Sequence, residues 1–361
     1  FDLCYLVFYH RTNYGHRWRY AWRHALTQAN SRSLSVTANE WAVYRLTGCI
    51  FLVKVALARP ELNNFVLSEV GSLMTTHNTP AKHLLNYLQV AATDKPDAFT
   101  GDAELYGMMG VYGGHLLGQG LCAALDTVEE PKVAHSFHAY FLQRCNPDIK
   151  LNYQVQRLRS GKWGDIRSIS ASQKGQQVFH MIASFKVAEA GDEHQKTMPK
   201  VDGPEALIAQ RQQRGEETFP FPPIKDGRTE IEFASAGFHE FIADRAPELR
   251  LWMRTPYSSD RVAPMTTREG QIALAYLSDA TLLFNSVIPH GVPMQTHRMT
   301  SLDQSCWFHS VCDPSQWLLF DQRSVAATDG RGLNEGEIYA ADGKLVMSCA
   351  QESMLRRIQP S

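Results

Sequence analysis

The chain of 361 residues has no surplus of charge of either sign, since 36 Lys and Arg stand against 37 Asp and Glu for a formal net charge of −1. A global field able to gather nucleic acid or an anionic membrane surface is excluded, so any charged ligand must be met by a local patch. Long apolar runs are missing as well. The longest, 46–58, is interrupted by Thr47, Gly48 and Lys54 and is too short to cross a bilayer, so no membrane span is expected. The seven cysteines, at 4, 49, 122, 145, 306, 312 and 349, make no CxxC pair and no metal-finger spacing. That usage points to a reducing compartment and to no metal site. There is also no GxSxG elbow, no HExxH helix, no GxxxxGK[ST] loop and no GxGxxG turn. The commonest nucleophile, metalloprotease, phosphate-loop and dinucleotide signatures are therefore absent.

What remains is ample core material. With 44% hydrophobic and 20% charged residues the chain is expected to be compact, and its length suggests two domains or one large one with extensions. Residues 1–38 carry arginines 11, 17, 19, 23 and 32 with Asp2 as the sole acid, a composition that fits either an organelle-targeting segment or a helical appendage. Beyond residue 82 the texture changes. A Gly-studded apolar helix is expected over 113–128, with Leu117, Leu121, Ala124 and Leu125 on one side and with Gly118 and Gly120 allowing close approach of a sheet. Alternating, β-rich runs follow at 134–143, 151–159, 165–173 and 177–187. After a polar linker at 189–228, holding Phe219-Pro-Phe-Pro-Pro, a similar order returns. Strands are expected at 230–238 and 249–257, a long helix at 267–285, and strands at 296–311, 317–326, 332–340 and 344–355. The pattern is α+β, an antiparallel sheet wrapped around one long helix, made twice.

Several residues could carry chemistry. The glycines of 113–120 suit helix-to-sheet contact better than a phosphate cradle. His135 and His138 fall on opposite faces of a strand and do not converge on a metal. Asp279 shares a helix face with Ile272, Tyr276 and Leu283, where a carboxylate is costly unless it is hydrogen-bonded or used. It could instead, with Ser278, cap a second helical segment. Gln351 shares a strand face with Leu345, Met347, Cys349 and Leu355, and Ser301 lies on a strand where Ser301, Asp303, Ser305 and Trp307 alternate onto one face.

These residues sit inside runs that resemble the acyl-CoA thioesterases of the bacterial type II and peroxisomal class. The runs are Val111-Tyr-Gly-Gly-His-Leu-Leu-Gly-Gln, His135-Ser-Phe-His-Ala-Tyr-Phe-Leu, Glu193-His-Gln-Lys-Thr-Met-Pro, Ala275-Tyr-Leu-Ser-Asp, Ser301-Leu-Asp-Gln-Ser-Cys-Trp-Phe-His and Cys349-Ala-Gln-Glu, spread in order over 82–357. The resemblance implies a double hotdog fold, with residues 1–81 an extension, 82–188 a first hotdog, 189–228 the linker and 229–357 a second, catalytic hotdog. It also implies a catalytic set of Asp279, Ser301 and Gln351 that positions a water for hydrolysis of fatty acyl-CoA, with no cofactor beyond the substrate's own coenzyme A. The chain departs from the family in having His115 where Gln follows the Gly-Gly pair, and in ending Gln359-Pro-Ser rather than in a Ser-Lys-Leu type signal. A peroxisomal location is thus implied by resemblance alone, with cytoplasm or mitochondrion as alternatives, and a homo-oligomer is expected.

The internal duplication adds a further expectation. Counting from the turn glycines puts Ala183 opposite Gln351, matching the strands after the helices puts Ala134 opposite Ser301, and a looser helix match puts Cys122 opposite Asp279. The first half would then have lost the polar set, leaving one active site per chain built mainly from the second half. Arg331 and Arg356 are candidates for the CoA phosphates. Attack by Asp279 itself to give an anhydride uses the same residues, and a non-catalytic acyl-CoA-binding protein is the alternative function. A hotdog dehydratase ranks third, because the helix histidine it needs would be His115, in the degenerate half.

Overall fold

The computed structural model describes residues 40–46, 49–55, 84–104, 110–215, 229–238, 242–256 and 263–359. The targeting segment or appendage expected over 1–38 and the Pro-rich run at 219–223 lie outside the described residues. The chain divides into two units, Phe1–Pro80 and Ala81–Ser361. In the first, β1 (Glu40–Leu46) and β2 (Cys49–Val55) pair as an antiparallel ribbon from Glu40 opposite Val55 to Leu46 opposite Cys49. Among the described residues no helix is long and apolar enough to cross a membrane.

The second unit opens with α1 (Leu84–Leu88) and the short strands β3 (Ala91–Ala92) and β4 (Ala98–Gly101). Then come α2 (Gly113–Leu125), β5 (Val133–Phe141), β6 (Leu151–Ser160), β7 (Gly164–Gln173) and β8 (Gln176–Lys186). A helix, α3 (Pro204–Gln213), forms within the stretch expected as a linker. The strands β9 (Glu230–Phe233) and β10 (Glu248–Arg254) precede α4 (Thr267–Leu277) and a 3₁₀ turn at Leu282–Phe284. Four strands finish the unit: β11 (His297–Phe308), β12 (Leu318–Thr328), β13 (Arg331–Ala340) and β14 (Leu345–Arg357).

The twelve strands among the described residues of this unit form one sheet in the order β3-β4-β6-β7-β8-β5-β11-β14-β13-β12-β10-β9. Reading outward from the central β5–β11 pair, both halves follow the same sequence of strands, six to a side. The duplication extends to irregularities. The register slips between Ala134 and Ser136 on β5 and between Ser301 and Asp303 on β11, each against the strand that ends its own half. It slips again between Arg157 and Arg159 on β6 and between Ser324 and Ala326 on β12. A bulge sets which side chains face inward beyond it, so its repetition means that equivalent positions in the halves face the same way.

Composition explains where the helices go. The thirteen residues of α2 contain no charged side chain, and all after Gly113 are buried, as a helix without a polar face requires. In α4 the charges are confined to the first turn, where Thr266 and Glu269 form a reciprocal cap, and Gly270 to Leu277 are buried. The Arg268 guanidinium donates to the Leu125 carbonyl at the end of α2, whereas Gly114 at the start of α2 meets Asp279 beyond the end of α4. The two helices therefore run antiparallel, and residues of both halves share one apolar core.

One expectation needs correction. The helix expected over 267–285 stops at Leu277, with Ser278 as its C-cap, and Thr281 has a left-handed φ of 63° before the 3₁₀ turn. Leu282, Leu283 and Phe284 continue the apolar pattern because they too are buried, not because the helix continues. Of the stretch expected as a linker, 189–215 are described, and several of their side chains pack on the second half: Gln195 brackets Gly343 and Leu345, the Trp252 indole donates to the Asp202 carbonyl, and Met198, Val201 and Leu207 lie against Trp252, Leu319 and Tyr339.

Candidate active site

The early end of α4 delivers Asp279 to the centre of the unit, where it is 3% exposed. Its Oδ1 accepts from Gln351 Nε2 on β14 at 2.5 Å, and its Oδ2 accepts from the Gly114 backbone N–H in the first turn of α2 at 2.9 Å. One carboxylate is thus held by a side chain from one half and a helix N-terminus from the other. A helix start offers unpaired N–H groups and positive dipole charge, both favourable to an anion. Closeness here depends on the Gly-Gly pair: a Cβ on Gly113 would lie 2.7 Å from Asp279 Oδ2, and one on Gly114 would lie 2.3 Å from the Tyr276 carbonyl oxygen. The site is therefore shared between the halves more evenly than expected. Gly120 meets Phe179 of β8, as helix-to-sheet contact requires, whereas Gly118 meets Leu88 of α1.

Burial dominates the electrostatics of Asp279. Desolvation pushes its pKa up to about 7 from 3.8, against the opposing effect of the Gln351 and Gly114 hydrogen bonds. A carboxylate so placed can take a proton near neutrality, as a general base must. Gln351 itself is fully buried, and while its Nε2 is engaged, its Oε1 has no partner among the described residues. That oxygen is an acceptor beside the base.

Ser301 is placed differently from the expectation. The bulge at Leu302 switches the phase of β11, so that Ser301, Gln304 and Cys306 pair with the inward-facing Ser353, Gln351 and Cys349. Asp303, Ser305 and Trp307 turn outward instead: Asp303 accepts from the Glu352 backbone, Ser305 bonds His138, and Trp307 is 38% exposed. Ser301 thus shares the inner face with Gln351, two pairs further along the ladder, but its hydroxyl makes no hydrogen bond to Asp279 or Gln351. Sequence reasoning missed Gln304, which accepts from Gln351 Nε2 at 2.9 Å. Counting alternation without a bulge assigns Gln304 to the wrong face.

The candidate phosphate ligands are not brought to this site. Arg331 pairs with Glu352 at 2.7 Å and with Asp329, and Arg356 is exposed beside Arg298 on the neighbouring strand. Both are on the outer side of the sheet, away from the face that carries Gln351. His115 is buried with its Nε2 against the Asp102 carbonyl oxygen at 2.9 Å, in the first half. His135 and His138 bond Ser184 and Ser305, and no metal-holding group of His, Cys, Asp or Glu occurs among the described residues.

Strand pairing shows what the first half has in place of these groups. Phe137 opposes Ala183 and Ala183 opposes Arg167, as Gln304 opposes Gln351 and Gln351 opposes Asn334. Ala134 opposes Phe185 as Ser301 opposes Ser353, so Ala134 matches Ser301 and Ala183 matches Gln351, as expected. Counted from the helix ends, Asp279, two residues beyond α4, matches Thr127, two residues beyond α2, and not Cys122, which lies within α2. Thr127 is bonded by the buried Arg167, which is also paired with Asp165 at 3.0 Å. The pseudo-equivalent site is filled.

Comparison with known proteins agrees with this architecture. Family models described as the acyl-CoA thioesterase N-terminal domain and the acyl-CoA thioesterase C-terminal domain match residues 103–186 and 204–355. Acyl-CoA thioesterase 2 of Haemophilus influenzae is 30% identical over 76% of this chain and 98% of its own length. Human acyl-coenzyme A thioesterase 8 is 32% identical over 68% of this chain and 80% of its own. Among solved structures, an acyl-CoA thioesterase II of Mycobacterium marinum superposes with a TM-score of 0.62 at 28% identity, covering 76% of this chain and 98% of that one. A hot dog fold protein of Alicyclobacillus acidocaldarius does so with a TM-score of 0.61 at 19% identity, over 76% of this chain and 97% of its own, which speaks to the fold alone.

Proposed function

The chain belongs to the acyl-CoA thioesterase II family and is an acyl-CoA hydrolase, and from that premise we propose that it splits fatty acyl-CoA with a water held by Asp279, Gln351 and Ser301. The observation that carries this reading is the buried carboxylate of Asp279, raised to about 7 and bracketed by Gln351 and the start of α2. A thioester carbon is already electrophilic and the thiolate leaves readily, so the main task is to place and deprotonate one water. Asp279 takes the water proton as the new C–O bond forms. The Gln351 Oε1 and the Ser301 hydroxyl hold the water, and the oxyanion lies at the start of α2. There the Gly114 N–H is engaged by Asp279 and the Gly113 N–H has no protein partner among the described residues. When the tetrahedral adduct collapses, the C–S bond breaks and CoA leaves as the thiolate, taking up the proton afterwards. No group beyond the CoA moiety of the substrate is called for.

Thiol release measured over a series of acyl-CoA chain lengths tests the activity. No release at any length would favour an acyl-CoA-binding protein that kept the fold. Single turnover in ¹⁸O water separates direct attack, which labels the product acid, from an anhydride route, which places the label on Asp279 when water opens the anhydride at the aspartyl carbon. Two further outcomes are expected. The acid limb of kcat/KM lies near pH 7, activity falling as pH drops through the raised Asp279 value, because only the ionised carboxylate accepts the proton. A pH profile with an acid limb near 4 would contradict this. Ser301→Ala lowers kcat by about 10-fold with the fold intact, since one of two water contacts remains; unchanged turnover would remove Ser301 from the site. A peroxisomal location is proposed from the relative of Saccharomyces cerevisiae named peroxisomal acyl-coenzyme A thioester hydrolase 1, 25% identical over 68% of this chain and 86% of its own. Association into homo-oligomers, testable by sedimentation, rests on the family.

A further inference from the structure

We propose that Gln304 is a positioning residue that fixes the polarity of the Gln351 amide, so that Gln351 presents its NH₂ to Asp279 and its carbonyl oxygen to the attacking water. The inference rests on the thioesterase reading and deepens it. The side chain of Gln304 is fully buried on the inner face of β11, directly opposite Gln351. Both of its ends are engaged: Nε2 donates to Ser278 Oγ at 2.8 Å and to Cys306 Sγ at 3.5 Å, and Oε1 accepts from Gln351 Nε2 at 2.9 Å.

Direction along this row is set from its far end. The Ser278 hydroxyl has one hydrogen, which it donates to the Ala275 carbonyl at 2.9 Å, so towards Gln304 it can only accept. Gln304 must therefore turn its NH₂ to Ser278 and its carbonyl to Gln351. Gln351 must in turn offer NH₂ hydrogens to both Gln304 and Asp279, which leaves its Oε1 as the unpartnered acceptor. An amide has no intrinsic preference between its two flips, and a flipped Gln351 would set its carbonyl oxygen against the Asp279 carboxylate. The main-chain carbonyl of α4 thus imposes, through Ser278 and Gln304, the same orientation of Gln351 that the ionised Asp279 favours, and holds it when Asp279 is protonated and could donate to either flip.

The duplicated half serves as an internal comparison. There the position of Gln304 is taken by Phe137, that of Gln351 by Ala183 and that of Ser278, at the C-cap, by Asp126. Every member of the row is replaced where the base is missing, although the fold and its bulges persist. A core without amides at these positions is therefore compatible with this fold, and fold alone does not demand the buried row.

The test is kinetic and spectroscopic. Gln304→Met, close in length and unable to accept from an amide in the same way, is expected to lower kcat about 10- to 100-fold through misplacement of the water, with KM within about twofold. The acid limb of kcat/KM should move to higher pH, because an unfixed Gln351 no longer holds the ionised form of Asp279. Gln304→His should recover most of the loss, since a neutral imidazole has one acceptor and one donor nitrogen. Ser278→Ala, which removes the anchor of the row, should shift the limb in the same direction by less. The Asp279 carboxyl titration, followed in the infrared without turnover, should move upward in the Met variant and return in the His variant. If the wild type released no thiol from any acyl-CoA, the proposed function would fall while this titration still decided the part of Gln304. An unmoved titration in folded Gln304→Met, or a well-folded Gln304→His that stays as slow as the Met variant, would overturn the inference.

Discussion

Asp279→Asn is expected to lower kcat for acyl-CoA by at least about 10²-fold while stabilising the protein above pH 7. The loss follows from removing the proton acceptor, since an amide cannot take a proton from water near neutrality. The gain follows from linkage. In the unfolded chain an aspartate titrates near 3.8, and burial raises Asp279 to about 7 in the folded one. Folding therefore takes up a proton between those values, and stability falls as pH rises through that window. Above pH 7 the buried charge costs on the order of 4 kcal/mol relative to a neutral side chain. Asn recovers that cost but cannot accept from both Gly114 and Gln351, so one donor is left facing another at about 1–3 kcal/mol. The net effect is a variant more stable than wild type at pH 8, with the difference shrinking or reversing at pH 5. Thermal melts at the two pH values, beside the thiol-release rate, check both halves of the statement. A melting difference independent of pH would mean that Asp279 is not held in a desolvated site, and near wild-type turnover by the folded variant would remove it as the base.

Polarity at positions of core periodicity marks Asp279 and Gln351 in the sequence, and both side chains are buried. Local pattern could go no further in two places. A bulge inserts one residue without changing composition, so the alternation of β11 read through Leu302 puts Ser301 with Asp303 and hides Gln304. The end of α4 is equally hidden, because Leu282 to Phe284 keep apolar spacing while Thr281 takes a left-handed backbone. Nor could sequence show that the first turn of α2 would meet a residue 165 positions later. What did carry across that distance was the duplication: the turn-glycine count aligned Ala183 with Gln351, and the strand pairing puts them at equivalent places. Charge alone marks Arg331 and Arg356, and charge does not specify a face of the sheet.

Loss of the polar set in one half has a physical consequence for the other. A symmetric pair of sites would bury two carboxylates along the seam of two packed helices, each with the cost just described for Asp279. In this chain the equivalent region holds Thr127, Ala183 and Phe137, with Arg167 engaged by Asp165, Thr127 and the Arg159 carbonyl. The first half thus contributes a satisfied ionic pair and apolar side chains where a second base would be destabilising. On the proposed mechanism its remaining part in catalysis is the start of α2.

That remaining part is open to a single substitution. Gly114→Ala is expected to lower kcat by about 10²-fold, even though Ala is the better helix former by about 1 kcal/mol. A Cβ at 114 would stand 2.3 Å from the Tyr276 carbonyl oxygen and 2.4 Å from the Tyr112 ring. The ring can swing aside. The carbonyl cannot, because it is main chain in the last turn of α4. Relief requires α2 and the end of α4 to separate, which carries the Gly114 N–H away from Asp279 Oδ2. A shift of about 1 Å in a reacting group can cost 10²-fold in rate, and overpacking of this kind about 1–3 kcal/mol in stability. Gly118→Ala is the control: its Cβ would meet only the end of the Leu88 side chain, at 2.9 Å, so the clash can be relieved without moving Asp279. The Gly118 variant should keep most of its kcat and the acid limb of the wild type, whereas the Gly114 variant should lose rate and show that limb at higher pH, because a hydrogen bond that favours the ionised base is gone. Equal rates and equal pH profiles in the two variants would mean that the first half has no share in the site.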